Sequence, residues 1–362
     1  MAKESVEDRL VGLADRVIEA AKKKRDPEIE IPVRALSNVS FNEKKRIIEM
    51  GDSTQARTFF NLGMAKKFMQ TMLVADALAE LQRHDLSTSL REIYYRTKHT
   101  LKDSNENSFD DQNESDPIIE DLEVTLQALR EELHVRAKSW GTIIGPVTLV
   151  DGGDVVDCTR QGIGGKTVPS IVEPGYVDIK KCGADFVLLV EKDTQFGRLS
   201  EDKFWRKHNC ILLTGNGQTP RGVRRMARRL HDECKLPIYV LMDNDPWGYY
   251  IYSVVKQGSI NLAFESKRMA IPDAKFLGLS SFDPERHKLP RNVGIRLNDK
   301  DVSRAKELLE YPWFQSKPWQ KEIRHMLASG LKYELDALAN KDFRYLTTHY
   351  LPRKLKEKDW LD

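Results

Sequence analysis

Cysteine is scarce. Four thiols stand at positions 158, 182, 210 and 234, none in a Cys-x-x-Cys pair, and no histidine pair offers zinc-ligand spacing. That pattern argues against a disulfide scaffold or a zinc module and predicts reduced thiols in or beside strands. Long apolar runs are missing as well. Stretches such as Phe186 to Val190 fall far short of the ~20 residues that a membrane-spanning helix needs. The opening Met1-Ala2-Lys3-Glu4 has no apolar signal core. The expectation is a chain without a membrane span that stays in the cytoplasm or nucleoplasm. Charge of one sign is lacking too: the formal net charge is only +3, so it does not by itself announce nucleic acid.

The charges that are present are unevenly placed. Residues 103–123 carry nine acids and no Lys or Arg, whereas Arg221, Arg224, Arg225, Arg228 and Arg229 crowd into nine positions. Such an arginine cluster on a helix can grip phosphates, and it can equally be a solvated face. With 362 residues, 40% of them hydrophobic, the chain is long enough for about two or three domains, each with its own core.

Periodicity predicts an amphipathic helix over 5–25, then an extended link marked by Asp26-Pro27 and Ile31-Pro32. Helices are expected over 42–50, 54–83 and 87–99, with Ser87 or Thr88 capping the last, and again from Pro117 to Val135. The alternation of Thr142 to Val150 reads as a hairpin. Helices joined by a tight turn and followed by a hairpin make a winged helix the economical fold. Strand-like runs at 185–190, 210–214 and 238–242, with a helix over 222–233, then imply a largely parallel sheet covered by helices. Residues 300–360 return to helix, with Trp313, Trp319 and Trp360 as packing anchors.

Two constellations carry chemistry. In the first, helical spacing puts Leu90, Ile93, Tyr94 and Thr97 on one face and Arg91, Tyr95 and Lys98 on another. Tyr94 reads as core and Tyr95 as a phenol displayed between cations. A phenol with pKa ~10 is a poor nucleophile at neutral pH, and neighbouring positive charge favours its phenolate. In the second, Glu191 follows the run Phe186–Val190, and Asp243 and Asp245 follow Ile238–Met242. Functional groups collect at the carboxyl ends of strands in an open α/β sheet. Three carboxylates there would repel one another without a cation, and hard oxygen donors in that number suit Mg²⁺. Solvated acids at strand ends are the plain alternative.

Three near-motifs fail on inspection. Arg160 to Thr167 resembles a P-loop, but Arg160 replaces its first glycine and Pro169 and Pro174 bar the following helix. Asp103 to Glu114 matches several EF-hand positions, but Ser108 takes the glycine position, so an acidic surface loop is expected. Gly215 to Gly222 is not a dinucleotide fingerprint; it reads as a turn from a strand into the arginine-rich helix.

Taken together, Arg91-x-x-Tyr94-Tyr95, Glu191 and Asp243-x-Asp245 resemble the topoisomerase VI A-subunit family, which includes the meiotic double-strand-break transesterase. The run from Pro237 to Gly248 fits that family's pattern, and the resemblance extends from about Arg34 to the C-terminus. It implies a mixed α/β chain with a helical extension over 1–65, a winged-helix (CAP-like) domain over 66–150 and a linker over 151–180. A Toprim domain with a parallel sheet and a C-terminal helical extension would fill 181–362. It further implies Tyr95 as nucleophile aided by Arg91, and Mg²⁺ held by Glu191, Asp243 and Asp245. Lys98, Arg221, Arg224, Arg225 and Arg228 are the candidates for gripping double-stranded DNA. The implied partners are a second copy of this chain and an ATPase B subunit, in an A2B2 assembly that relaxes supercoiled DNA. The competing readings are a Toprim nuclease or primase-like enzyme without a covalent intermediate, and a non-enzymatic winged-helix DNA-binding protein.

Overall fold

The computed structural model describes residues 4–362, which divide into two compact units. The first comprises the chain up to Val39 together with Met50–Lys138; the second comprises Ser40–Glu49 and Ser139–Asp362. No described helix is long and apolar enough to cross a membrane.

In the first unit, α1 (Val6–Lys22) starts at a capping box in which Ser5 and Asp8 exchange hydrogen bonds, a device that stabilises a helix end by about 1 kcal/mol. Strand β1 (Glu28–Pro32) then pairs antiparallel with β2 (Thr54–Thr58). Ile29 and Ile31 point into the core and Glu28 and Glu30 point out, so the expected extended link is a half-buried strand. Three helices follow: α2 (Leu62–His84), α3 (Leu90–Thr97) and α4 (Gln112–Thr125). They pack on one another around Phe68, Leu78, Ile93, Ile118 and Leu122.

Several expectations need correction here. The helix expected over 42–50 is a pair of strands, Val39–Asn42 and Ile47–Met50. Its Glu-Lys-Lys centre favours helix locally, but Val39, Phe41, Ile47 and Ile48 favour strand. The turn closes with Arg46 at φ 56° and its amide 2.6 Å from the Asn42 carbonyl. The helix cap at Ser87 or Thr88 moves to Ser89, which forms a capping box with Glu92. The helix expected from Pro117 begins five residues earlier, because Asp111 caps it through the Asn113 amide at 2.7 Å. The acidic stretch is only partly a solvated loop. Asp121 and Glu123 are buried; Asp121 takes Arg34 at 2.8 Å and also Arg57, and Glu123 takes Arg130 at 2.8 Å.

The second unit is built on a six-stranded sheet. Its strands are β3 (Thr142–Ile144), β4 (Lys166–Thr167), β5 (Phe186–Val190), β6 (Cys210–Thr214), β7 (Ile238–Leu241) and β8 (Lys275–Gly278), in the order β4-β3-β6-β5-β7-β8. The four strands β6, β5, β7 and β8 run parallel, while β3 and β4 close one edge antiparallel. Every residue of β6 is buried, as a strand covered on both faces requires. The crossovers carry α5 (Asp193–Glu201), α6 (Arg221–Cys234) and α7 (Pro246–Gln257). Thr142 to Val150 is not a hairpin: Val147–Asp151 leaves β3 and joins a separate three-stranded sheet with Asp154–Asp157 and Val177–Cys182. The alternation is real, but Gly145 at φ 139° sends the two halves to different sheets. Further on come α8 (Asp299–Glu310), α9 (Lys317–Ser329) and α10 (Leu351–Glu357). Trp313 and Trp319 are buried, and Trp360 packs against Tyr239 at 5.1 Å.

The connections of this sheet place its functional edge. From β5 the chain crosses to β6 on one side; from β7 it crosses to β8 on the other. The carboxyl ends of the neighbouring strands β5 and β7 are therefore the switch point where an open α/β sheet leaves a crevice.

Candidate active site

Tyr94 and Tyr95 sit in α3, and the helix separates them. Tyr94 is 8% exposed and Tyr95 59%. The Tyr94 hydroxyl donates to the Asp110 carbonyl at 3.1 Å and accepts from Lys98 Nζ at 2.7 Å. The loop 103–111 is thus the floor under Tyr94, with Phe109 and Ser108 fully buried. Tyr95 projects outward, its ring 5.1 Å from that of Tyr94. The Arg91 guanidinium stands 5.8 Å from the Tyr95 ring centroid. Hydrogen bonding and charge from Arg91, with a smaller contribution from Lys98, hold the Tyr95 phenol below the usual tyrosine range. Lys98 itself is committed to Tyr94 rather than displayed freely.

The acids gather at the switch point of the second unit. Glu191 directly follows β5, and its amide bonds the Leu241 carbonyl of β7 at 3.0 Å. Its Oε2 accepts the Asp243 amide, also at 3.0 Å. Asp243 is 4% exposed and both its oxygens are engaged: Oδ1 accepts the Leu335 amide at 2.8 Å and Oδ2 meets Lys192 Nζ at 2.6 Å. Asp245 caps α7, its Oδ1 taking the Gly248 amide at 2.6 Å. Pro246 occupies the first turn, where its missing N–H costs nothing. Gly248 is required by contact: a Cβ there would lie 2.6 Å from the Asp243 carbonyl oxygen. Asn244, between the two acids, is buried and pinned. Its backbone pairs with Tyr333 through bonds of 2.8 and 3.0 Å, and its amide reaches Tyr249, which donates to Glu322.

The electrostatics follow from this crowding. Burial, then the charge of Asp243, push the Glu191 carboxyl up to about 7. Burial also raises Asp243 and Asp245, and for Asp243 it outweighs the Lys192 partner. The donor set is all carboxylate oxygen, which suits a hard divalent cation, and the raised values reflect first the burial of these acids, a cost to their charged forms that such a cation would relieve. Among the described residues, however, no group of three His, Cys, Asp or Glu stands close enough to hold a metal as it is. At Asp243 the Lys192 ammonium already sits on one carboxylate oxygen.

Two family patterns match the chain: the type IIB DNA topoisomerase pattern over residues 66–135, and the Toprim domain of the topoisomerase 6 A-subunit/Spo11 family over residues 186–355. The A subunit of type 2 DNA topoisomerase 6 from Pyrococcus horikoshii is 43% identical over 359 residues, covering 96% of this chain and 93% of that protein. The chain belongs to the topoisomerase VI A-subunit family. The corresponding A subunit of Sulfurisphaera tokodaii is 38% identical, covering 100% of this chain and 97% of its own length. That of Arabidopsis thaliana is 32% identical over 91% of this chain and 75% of its own length.

Within this topoisomerase VI A-type chain, the arginine helix has a use that composition did not disclose. Arg221 pairs with Glu265, Arg225 with Glu173 at 2.7 Å, Arg228 with Asp232 at 2.6 Å and Arg229 with Glu233 at 2.5 Å. Arg225 and Arg228 also bond the carbonyls of Arg268 and Ala270. Arg224 is buried, its guanidinium pushed down to about 10 by burial and then by Arg221. Arg221, Arg225 and Arg228 face the segment around 265–270, while Arg229 bonds the Val172 and Val177 carbonyls, so a grip on DNA would require the pairs to open. Lys166 of the broken P-loop lies in β4, 2.8 Å from Asp151. Sequence reasoning misses Lys192, although a lysine directly after a strand-end glutamate is a usable signal.

Proposed function

We propose that this chain is the DNA-cleaving and rejoining subunit of its complex, acting by transesterification at Tyr95. The Tyr95 oxygen attacks a DNA phosphorus, a 5′-phosphotyrosyl bond forms, and the bond to the 3′-oxygen breaks to release a 3′-hydroxyl. Arg91 favours the phenolate before attack and the charge that builds at phosphorus during it. Tyr94 and its floor hold the helix so that the Tyr95 hydroxyl stays outward. Glu191, Asp243 and Asp245 would hold Mg²⁺, which when bound supplies charge neutralisation at phosphate and leaving oxygen. The bond energy is kept in the phosphotyrosyl link, so rejoining is the same step reversed. The observation that carries this reading is the exposed Tyr95 beside Arg91, its phenol held below the usual range.

In this proposal the unit with Tyr95 serves as a winged-helix module on double-stranded DNA, and Lys98 with Arg221, Arg225 and Arg228 adds phosphate contacts of little sequence preference only where their present pairs open. A double-strand break needs two tyrosines and two acidic sites, which a homodimer supplies. Strand passage draws on an ATPase B subunit, in an A2B2 assembly. The test is to incubate the chain with the B subunit, supercoiled DNA, Mg²⁺ and ATP, denature, and look for protein covalently attached to 5′ ends. Attachment that disappears with Tyr95→Phe is the expected result. Cleavage with free 5′ ends would overturn the proposal.

A further inference from the structure

Lys192 is the charged group at the sheet edge that the proposed reaction leaves without a part. Its ammonium lies 2.6 Å from Asp243 Oδ2, 3.4 Å from Glu334 Oε2 and 3.9 Å from Asp336 Oδ2. The three carboxylates differ in kind. Asp243 is buried, whereas the Glu334 and Asp336 side chains are about half exposed, at 49% and 52%. Neither Glu334 nor Asp336 makes another ion pair among the described residues. An unpaired charge buried at Asp243 would be costly, and the Lys192 ammonium offsets that cost at 2.6 Å. Oδ1 accepts the Leu335 amide and Oδ2 meets the Lys192 ammonium, so an ion that takes Oδ2 must displace Lys192. A lysine ammonium is a point charge on a flexible stem, and the two outer carboxylates already stand within 4 Å of it.

We propose that Lys192 is a resident counter-ion, holding Asp243 while no divalent cation is bound and moving onto Glu334 and Asp336 when one arrives. The inference rests on the reading of Glu191, Asp243 and Asp245 as the metal-binding acids. It makes the outer pair part of the site without making either residue a ligand. Their work is to receive the displaced ammonium, and so to lower the cost of exchanging one cation for another.

The experiment is Mn²⁺ binding to the full chain at fixed pH and ionic strength, followed by calorimetry and by the electron paramagnetic resonance signal of free Mn²⁺. Four variants are compared with the parent: Lys192→Met, the pair Glu334→Gln with Asp336→Asn, all three together, and Asp243→Asn. Lys192→Met should bind Mn²⁺ about tenfold tighter, since one charge about 4 Å from the ion has gone. Its metal-free thermal midpoint should fall, and Mn²⁺ should restore it. The outer amide pair should bind several-fold more weakly in the parent, yet by no more than about twofold in the Lys192→Met background, a coupling that a double-mutant cycle isolates. If Lys192→Met fails to fold, Lys192→Gln and the outer pair give the same comparison. Weaker or unchanged binding in Lys192→Met would overturn the counter-ion role. An equal loss from the outer pair in both backgrounds would make Glu334 and Asp336 ligands instead. Binding that survives Asp243→Asn would overturn the metal reading itself; binding lost there but unmoved at Lys192 would overturn only the present inference.

Discussion

Glu191→Gln should stabilise the metal-free protein, and increasingly so as pH rises. In the fold, burial and Asp243 push the Glu191 carboxyl from its ordinary 4.5 up to about 7. Between those values the folded chain holds a proton that the unfolded chain has lost. Stability from this residue is therefore complete below about pH 4.5, declines through the window, and is gone above about pH 7. At 1.36 kcal/mol per pH unit the whole span is worth roughly 3 kcal/mol. Glutamine keeps the acceptor for the Asp243 amide but cannot ionise, so the variant should escape most of that decline. All six tryptophans lie at position 140 or beyond, so their fluorescence reports the second unit alone. Urea denaturation in EDTA at pH 5, 6, 7 and 8 should show the two proteins diverging, with the variant ahead by roughly 2–3 kcal/mol at pH 8. Saturating Mg²⁺ should reverse the order, because only the parent keeps all three acids. Parallel stability curves in EDTA would refute the electrostatic account of the site.

Tyr95→Phe should abolish covalent attachment to DNA in a denaturing gel while changing stability by less than about 0.5 kcal/mol, as expected of an exposed side chain. Tyr94→Phe should keep attachment and cost about 1 kcal/mol through its lost hydroxyl bonds; the opposite pattern of activity would reverse the assignment of the two tyrosines. Asp121→Ala leaves the buried Arg57 without its carboxylate, while Arg34 keeps Glu120, and should destabilise the first unit by about 3–5 kcal/mol in thermal or urea unfolding. A mixed dimer with Tyr95→Phe in one protomer and Glu191→Ala in the other should nick one strand, if each tyrosine works with the other protomer's acids. No nicking from such dimers that demonstrably form and bind DNA would sink that arrangement.

Much of this was legible in the chain because the relevant patterns are local. The sorting of Tyr94 from Tyr95 needs only helical spacing, and the acids after β5 and β7 need only two apolar runs that end in carboxylates. What escaped was set by long-range partners. Residues 42–50 have a helix-favouring centre, and only pairing within the fold makes them strands. Thr142 to Val150 alternates as a hairpin should, and one glycine at positive φ divides it between two sheets. The arginines of α6 cannot announce from sequence that Glu173 and Glu265 stand opposite them. Lys192 had a local signal, but its meaning depends on Glu334 and Asp336, more than 140 positions away.

Asn244 carries no charge and has no step of its own, yet it ties the acidic edge of the sheet to residues 322–335. Its backbone is stitched to Tyr333, Asp243 is stitched to Leu335, and its side chain runs through Tyr249 to Glu322. The turn that presents Asp243 and Asp245 is thus clamped from behind by residues contributed ninety positions later. Hydrogen exchange at the Asn244 amide should report the integrity of 322–335 as faithfully as that of the strand it follows. A lesion in that distant stretch, touching none of the acids, would loosen the turn that sets their positions.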